Sequence, residues 1–110
     1  MGNFRIFLLP GVFLRIELLY SMGRMSDCFQ DLRVWQNAME LAVEVYRQTS
    51  RFPREEIYSL TQQMRRAAVS VPSNIAEGKG RRSRKEFQQF LFHARGSLLE
   101  LQTQVMIAKR

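Results

Sequence analysis

The chain has 110 residues, which confines it to one domain, and its 17 lysines and arginines against 10 acidic residues leave a net charge of +7, a balance that favours a polyanionic partner. One cysteine, Cys28, and one histidine, His93, exclude an intrachain disulfide and a cysteine-based metal site, and they fit a reducing, cytoplasmic setting. Glycine and proline are sparse and no low-complexity tract follows Gln30, which argues for an ordered fold from there on.

Residues 1–24 differ in character from the rest. The opening MGNFRIFLLPGVFLRIELLY is apolar but interrupted by Arg5, Pro10, Arg15 and Glu17. Its longest apolar run, Ile6 to Leu14, is far too short to cross a bilayer, so no membrane association is expected. A secretory signal would also need a small-residue cleavage site, which is missing. Met22 and Met25 stand just before the first patterned segment. Residues 1–24 are therefore read as a start-site overcall ahead of a domain spanning 25–110. If translated, they form an apolar tail that packs on the domain or aggregates.

A first helix is expected from about Leu32 to Thr49. Trp35, Ala38, Met39, Ala42, Val45 and Tyr46 recur at spacings of three and four, the period of an amphipathic helix. Asp31 is placed to cap its start, Ser50 and Pro53 mark its stop, and Glu44 can pair with Arg47.

A second helix is expected from about Arg54 to Lys79, with Ile57, Leu60, Met64, Ala67, Ala68, Val71 and Ile75 on one stripe. Glu55 and Glu56 suit its N-terminus. Pro72 falls inside the stripe, where its ring clashes with the carbonyl of Ala68. Because the stripe continues to Ile75, the reading is one continuous helix kinked at Pro72, ended by Gly78 and Gly80.

The third segment opens with a capping box, Ser83 to Glu86. Phe87, Ala94, Leu101 and Ala108 repeat every seven residues, beside a second ridge of Leu91, Leu98 and Val105, so a long helix runs to the end of the chain. Gly96 within it marks either a close helix crossing or a tolerated solvent-facing position. No segment alternates as a strand does. The fold class is all-α, an antiparallel up-down helical bundle with short loops near 50–54 and 79–83.

Motifs for catalysis are missing: no HExxH, phosphate-binding glycine loop or paired cysteines. Ser73 and Ser97 have no evident base, His93 lies off the main ridge, and Cys28 has no activating cation. No catalytic residue, metal ligand or cofactor is assigned, and the protein is expected not to be an enzyme.

Two clusters remain. Asn74 and Glu77 are three apart on one helix face, where Arg66 or Glu100 can pair with them. Arg66, Asn74, Glu77 and Glu100 are read as a structural polar network, a ligand site being the alternative. The other cluster is cationic: Arg65, Lys79, Arg81, Arg82, Arg84 and Lys85, most of them in the run GKGRRSRK between two helices. Such a loop can present charge to a phosphate backbone, or simply be solvated. Tyr58 and Phe87 occupy core-like positions, so no aromatic side chain is left to stack on bases. Binding to RNA or DNA would then be salt-sensitive and non-specific.

The residues from Trp35 to Arg110 resemble the bacterial four-helix bundle family known as 23S rRNA intervening-sequence proteins. The resemblance is carried by the Trp35 to Leu41 opening, Arg65-Arg66-Ala67, the SVPSNIAEG run from Ser70 to Gly78, Ala94-Arg95-Gly96-Ser97 and Glu100-Leu101. It implies an antiparallel four-helix bundle that assembles into pentameric rings, with proline inside the second helix and the polar network holding the helices together. The family pattern continues into a fourth helix, so 25–110 is expected to be three of its four helices. The function expected is that of a non-enzymatic homo-oligomer that binds nucleic acid through its basic loop. The alternative is a structural scaffold with an unidentified protein partner and no nucleic-acid role.

Overall fold

The apolar periodicity becomes three α-helices in a computed structural model that describes residues 29–110. The readings on residues 1–24 and on Cys28 lie outside the described residues.

A 3-10 turn, Phe29–Asp31, leads into helix α1, Arg33–Thr49. Asp31 does not cap α1: it is drawn into the 3-10 turn, and the cap position falls to Leu32, which makes no side-chain cap bond. Leu32 is instead sealed into the core, while Phe29 meets Trp35 edge-on with ring centroids 5.3 Å apart. The entry to α1 is thus fixed by apolar packing rather than by a capping carboxylate. The buried face is Ala38, Leu41, Ala42 and Val45. Met39 and Tyr46, expected in the core, are exposed, and Leu41 takes the central place. At the far end the hydroxyls of Thr49 and Ser50 donate back to the carbonyls of Val45 and Arg47, and Pro53 follows.

The second helical run covers Arg54 to Lys79 as expected, but it is not α-helical throughout. A 3-10 turn, Arg54–Glu56, passes into a π turn, Ile57–Thr61, before helix α2, Gln62–Lys79. A π turn holds more residues per revolution than an α turn, so the residues before it fall out of phase with the stripe that follows. Thr61 therefore turns inward, Leu60 is only half-buried, and Ile57 faces solvent. α2 continues unbroken through Pro72, which is buried. Gly78 does not stop the helix. It lies inside α2 against α3, Arg84–Ala108, where a Cβ would come within 2.4 Å of Phe90 Cβ. Gly80 closes α2 with φ of −75°, so no left-handed residue is used.

α3 begins at the expected cap: Ser83 Oγ accepts the backbone N–H of Glu86 at 3.1 Å. Phe87, Ala94, Leu98, Leu101, Val105 and Ala108 are buried, with Leu91 packed against them, so both seven-spaced ridges face the core. Gly96 has nothing within 4 Å of where its Cβ would sit, which settles its place on the solvent side.

α2 is the central element and packs against both α1 and α3. The direction of α3 follows from two contacts. Ser70 meets Ser97 at 2.8 Å, whereas Gly78, further along α2, meets Phe87 and Phe90, earlier on α3. The two helices are therefore antiparallel. Among the described residues there is no strand, and no helix is long and apolar enough to cross a membrane.

Candidate nucleic-acid interface

Between α2 and α3 the chain turns within four residues, Gly80 to Ser83, which gathers the cations of both helix ends at one corner. They fall into two groups. Lys79 and Arg81 are laid back on the protein: Lys79 Nζ sits 5.6 Å from the Phe87 ring centroid and Arg81 Cζ 4.9 Å from that of Phe90. Arg81 also pairs with Glu77 at 3.2 Å. Both of those groups are exposed, so the pair contributes little to stability and neutralises the corner only weakly. Arg82, Arg84 and Lys85 point to solvent and form no ion pair among the described residues.

The position of this second group is electrostatically unfavourable. Arg84 and Lys85 occupy the first turn of a 25-residue helix. The unpaired N–H groups at that end carry partial positive charge, and cations there cost about 0.3–1 kcal/mol each. Glu86 in the same turn offsets part of this. A chain that keeps cations where they weaken its own helix keeps them for something outside it.

Arg65 does not belong to this corner. It lies 14 residues before Lys79 on α2, about 21 Å along the helix axis. Its Nε donates to Thr49 Oγ1 at 2.9 Å and its guanidinium lies 4.6 Å from the Tyr46 ring centroid. Neighbours in sequence had been read as one patch, but the length of α2 separates them.

The expected polar network is also divided. Asn74 Nδ2 donates to the carbonyl and hydroxyl oxygens of Ser70, at 2.8 and 2.9 Å, and Ser70 Oγ meets Ser97 Oγ. Since Ser70 Oγ accepts from Asn74, its own proton is free to go to Ser97. This chain ties α2 to α3 next to Pro72. Glu77 is engaged with Arg81, Glu100 accepts from Gln104 at 3.2 Å, and Arg66 is exposed. Among the described residues no hydrogen bond or ion pair joins Arg66, Asn74, Glu77 and Glu100 to one another. The serines that do the linking are part of the SVPSNIAEG and ARGS runs, and their spacing on facing helices was not legible before the helices were placed.

His93 is exposed and meets Phe90 edge-on at 6.2 Å. No group of three or more His, Cys, Asp or Glu side chains gathers among the described residues. The aromatic side chain that sequence reasoning misplaced is Tyr58, which the π turn leaves 89% exposed.

A small all-α protein with antiparallel helices and a cationic corner is the class that this geometry defines. The chain belongs to the 23S rRNA-intervening sequence protein family, whose pattern matches residues 30–110. No curated protein matches the chain.

Proposed function

We propose that this protein is non-enzymatic and binds nucleic acid through the corner between α2 and α3, with little regard to sequence. The observation that carries the reading is the exposure of Arg82, Arg84 and Lys85 without ion pairs, around a helix N-terminus that they destabilise. Cations in such a place supply the phosphate contacts on which sequence-independent affinity rests. The family is named for an intervening sequence of 23S rRNA, so a structured RNA is the first polyanion to offer. The test is fluorescence anisotropy with a labelled RNA hairpin and a DNA duplex, comparing the wild type with a variant in which Arg81, Arg82, Arg84 and Lys85 are all changed to Gln. All four are exposed, so the fold is expected to survive, and circular dichroism checks that. Affinity is expected to fall by more than tenfold for both probes. Unchanged binding by the variant would remove the corner from the reading.

A second reading, self-association, is favoured by a separate observation. Phe92, Leu99 and Met106 recur every seven residues on the outer side of α3 and are all exposed, Phe92 to 66%. Met39 and Val43 form a shorter exposed stripe on α1. Apolar stripes of this kind are covered in protein–protein contacts. A homo-oligomer built on them would bring several cationic corners together and raise avidity for one polyanion. Light scattering on the wild type and on Leu99→Glu reads it directly: loss of a defined oligomer in the variant supports the reading, and a monomeric wild type overturns it.

A further inference from the structure

At the end of α2 remote from the cationic corner, the π turn opens a groove of about 540 Å³ between itself, α1 and α2. Its walls include Tyr46, Ile57, Tyr58, Arg65, Arg66 and Val69, two aromatic rings and two guanidiniums with no acidic side chain among the lining residues. Tyr58 is the most exposed of the large apolar side chains among the described residues. Solvent rarely receives a tyrosine ring so completely, because the ring carries a large apolar area. Ile57 and Val69, both more than 40% exposed, extend the apolar surface beside it.

The two arginines differ in a useful way. Arg65 is held in place by Thr49 Oγ1, by the Tyr46 carbonyl at 3.4 Å and by the Tyr46 ring, all of them neutral. It is oriented but not neutralised. Arg66, next to it, is exposed and has no ion pair or hydrogen bond among the described residues. The nearest carboxylates in sequence are Glu55 and Glu56, and Glu56 is occupied by the Ser59 hydroxyl at 2.7 Å. A flat ring open on its face, beside an anchored and a free guanidinium, matches the two halves of a nucleotide: a base to stack and a phosphate to hold.

We propose that this groove binds an unpaired nucleotide unit, its base stacked on Tyr58 and its phosphate at Arg65 and Arg66. The inference rests on the nucleic-acid reading above and adds to it a preference for single-stranded over paired segments. A base locked in a duplex has no free face for Tyr58, whereas the cationic corner reads only phosphate. The two sites therefore respond to different features of one strand.

The experiment compares a labelled 12-nucleotide single-stranded RNA of mixed sequence with the duplex of the same sequence, at one low salt concentration. Tyr58→Ala is expected to weaken single-strand binding on the order of tenfold, the usual loss for one stacked base, and to leave duplex binding unchanged. Tyr58→Phe keeps the ring and is expected to bind like the wild type. Arg66→Gln, at a second exposed position, is expected to weaken the single strand more than the duplex. AMP offered as competitor separates the two sources of the ligand. Displacement of the single strand by AMP, lost in Tyr58→Ala, assigns the site to free nucleotides as well. Failure of AMP to compete, with the Tyr58 effect intact, assigns it to the strand. Equal single-strand binding by wild type and Tyr58→Ala overturns the groove while the corner stands, provided the duplex still binds. If neither RNA binds the wild type, both readings fall together.

Discussion

Gly78 and Gly96 show how one residue type serves opposite ends within two neighbouring helices. Each sits in a helix, where glycine costs about 1 kcal/mol relative to alanine. At Gly96 no atom stands within 4 Å of a new Cβ, so Gly96→Ala is expected to raise stability by about 0.5–1 kcal/mol. At Gly78 the new methyl would strike Phe90 Cβ and press on the Phe87 ring. Gly78→Ala is expected to lower stability by about 1–3 kcal/mol despite the better helix propensity, because α2 and α3 must separate. Chemical denaturation of the two variants beside the wild type reads both signs. A third residue-scale case is Gln104, whose Oε1 is buried without a hydrogen-bond partner, as are Gln48 Oε1 and Thr61 Oγ1. Gln104→Met has a similar shape and no unpaired oxygen, and it is expected to gain on the order of 1 kcal/mol in the same assay. None of these roles is legible from residue type. Gly78 reads as a helix stop beside Gly80, and only the approach of Phe90 shows that it is a contact.

At the scale of the element, helix α3 was read almost whole. Its seven-spaced ridges are self-consistent, its cap is chemically specific, and nothing interrupts it. The Ser83 hydroxyl satisfies one of the N–H groups that a helix start leaves unpaired. Ser83→Ala is expected to cost about 1 kcal/mol, and Ser83→Asp to keep most of the cap, as thermal unfolding would show. The run from Arg54 to Lys79 was legible in extent but not in phase. Ile57 and Leu60 extend the α-helical stripe perfectly well on paper, and no residue type marks the π turn that rotates them away. The same turn hid Tyr58, which helical periodicity places near the core and the structure places in solvent. In α1 the apolar pattern is wider than the face that α2 covers, so Met39 and Tyr46 were counted as core. Periodicity gives the direction of a buried face, not its width, and the width depends on how many neighbours the helix has.

For the molecule as a whole, the arrangement of charge and apolar surface follows from α2 lying between its two neighbours. α1 and α3 each bury one face on α2 and leave another open, which is where Met39, Val43, Phe92, Leu99 and Met106 come to the surface. That an apolar face would remain uncovered was legible from three unequal helical patterns. Which residues line it was not, because that depends on rotation of each helix about its own axis. The cations were legible as a charge run in sequence, yet the run is two places in space: Arg65 beside the tyrosines at one end of α2, and Lys79 to Lys85 at the other.

The central claim is that the corner between α2 and α3 holds phosphate, and the slope of affinity against salt tests it most directly. Anisotropy titrations of a structured RNA and a DNA duplex, repeated across a series of salt concentrations, give log K against log salt for the wild type and for the variant with Arg81, Arg82, Arg84 and Lys85 changed to Gln. The wild type is expected to lose affinity steeply as salt rises. The variant's slope on duplex DNA is expected to be shallower by roughly three, since each phosphate contact removed takes away about one unit of slope. Equal slopes for the two proteins, or affinity that does not change with salt, would contradict the claim.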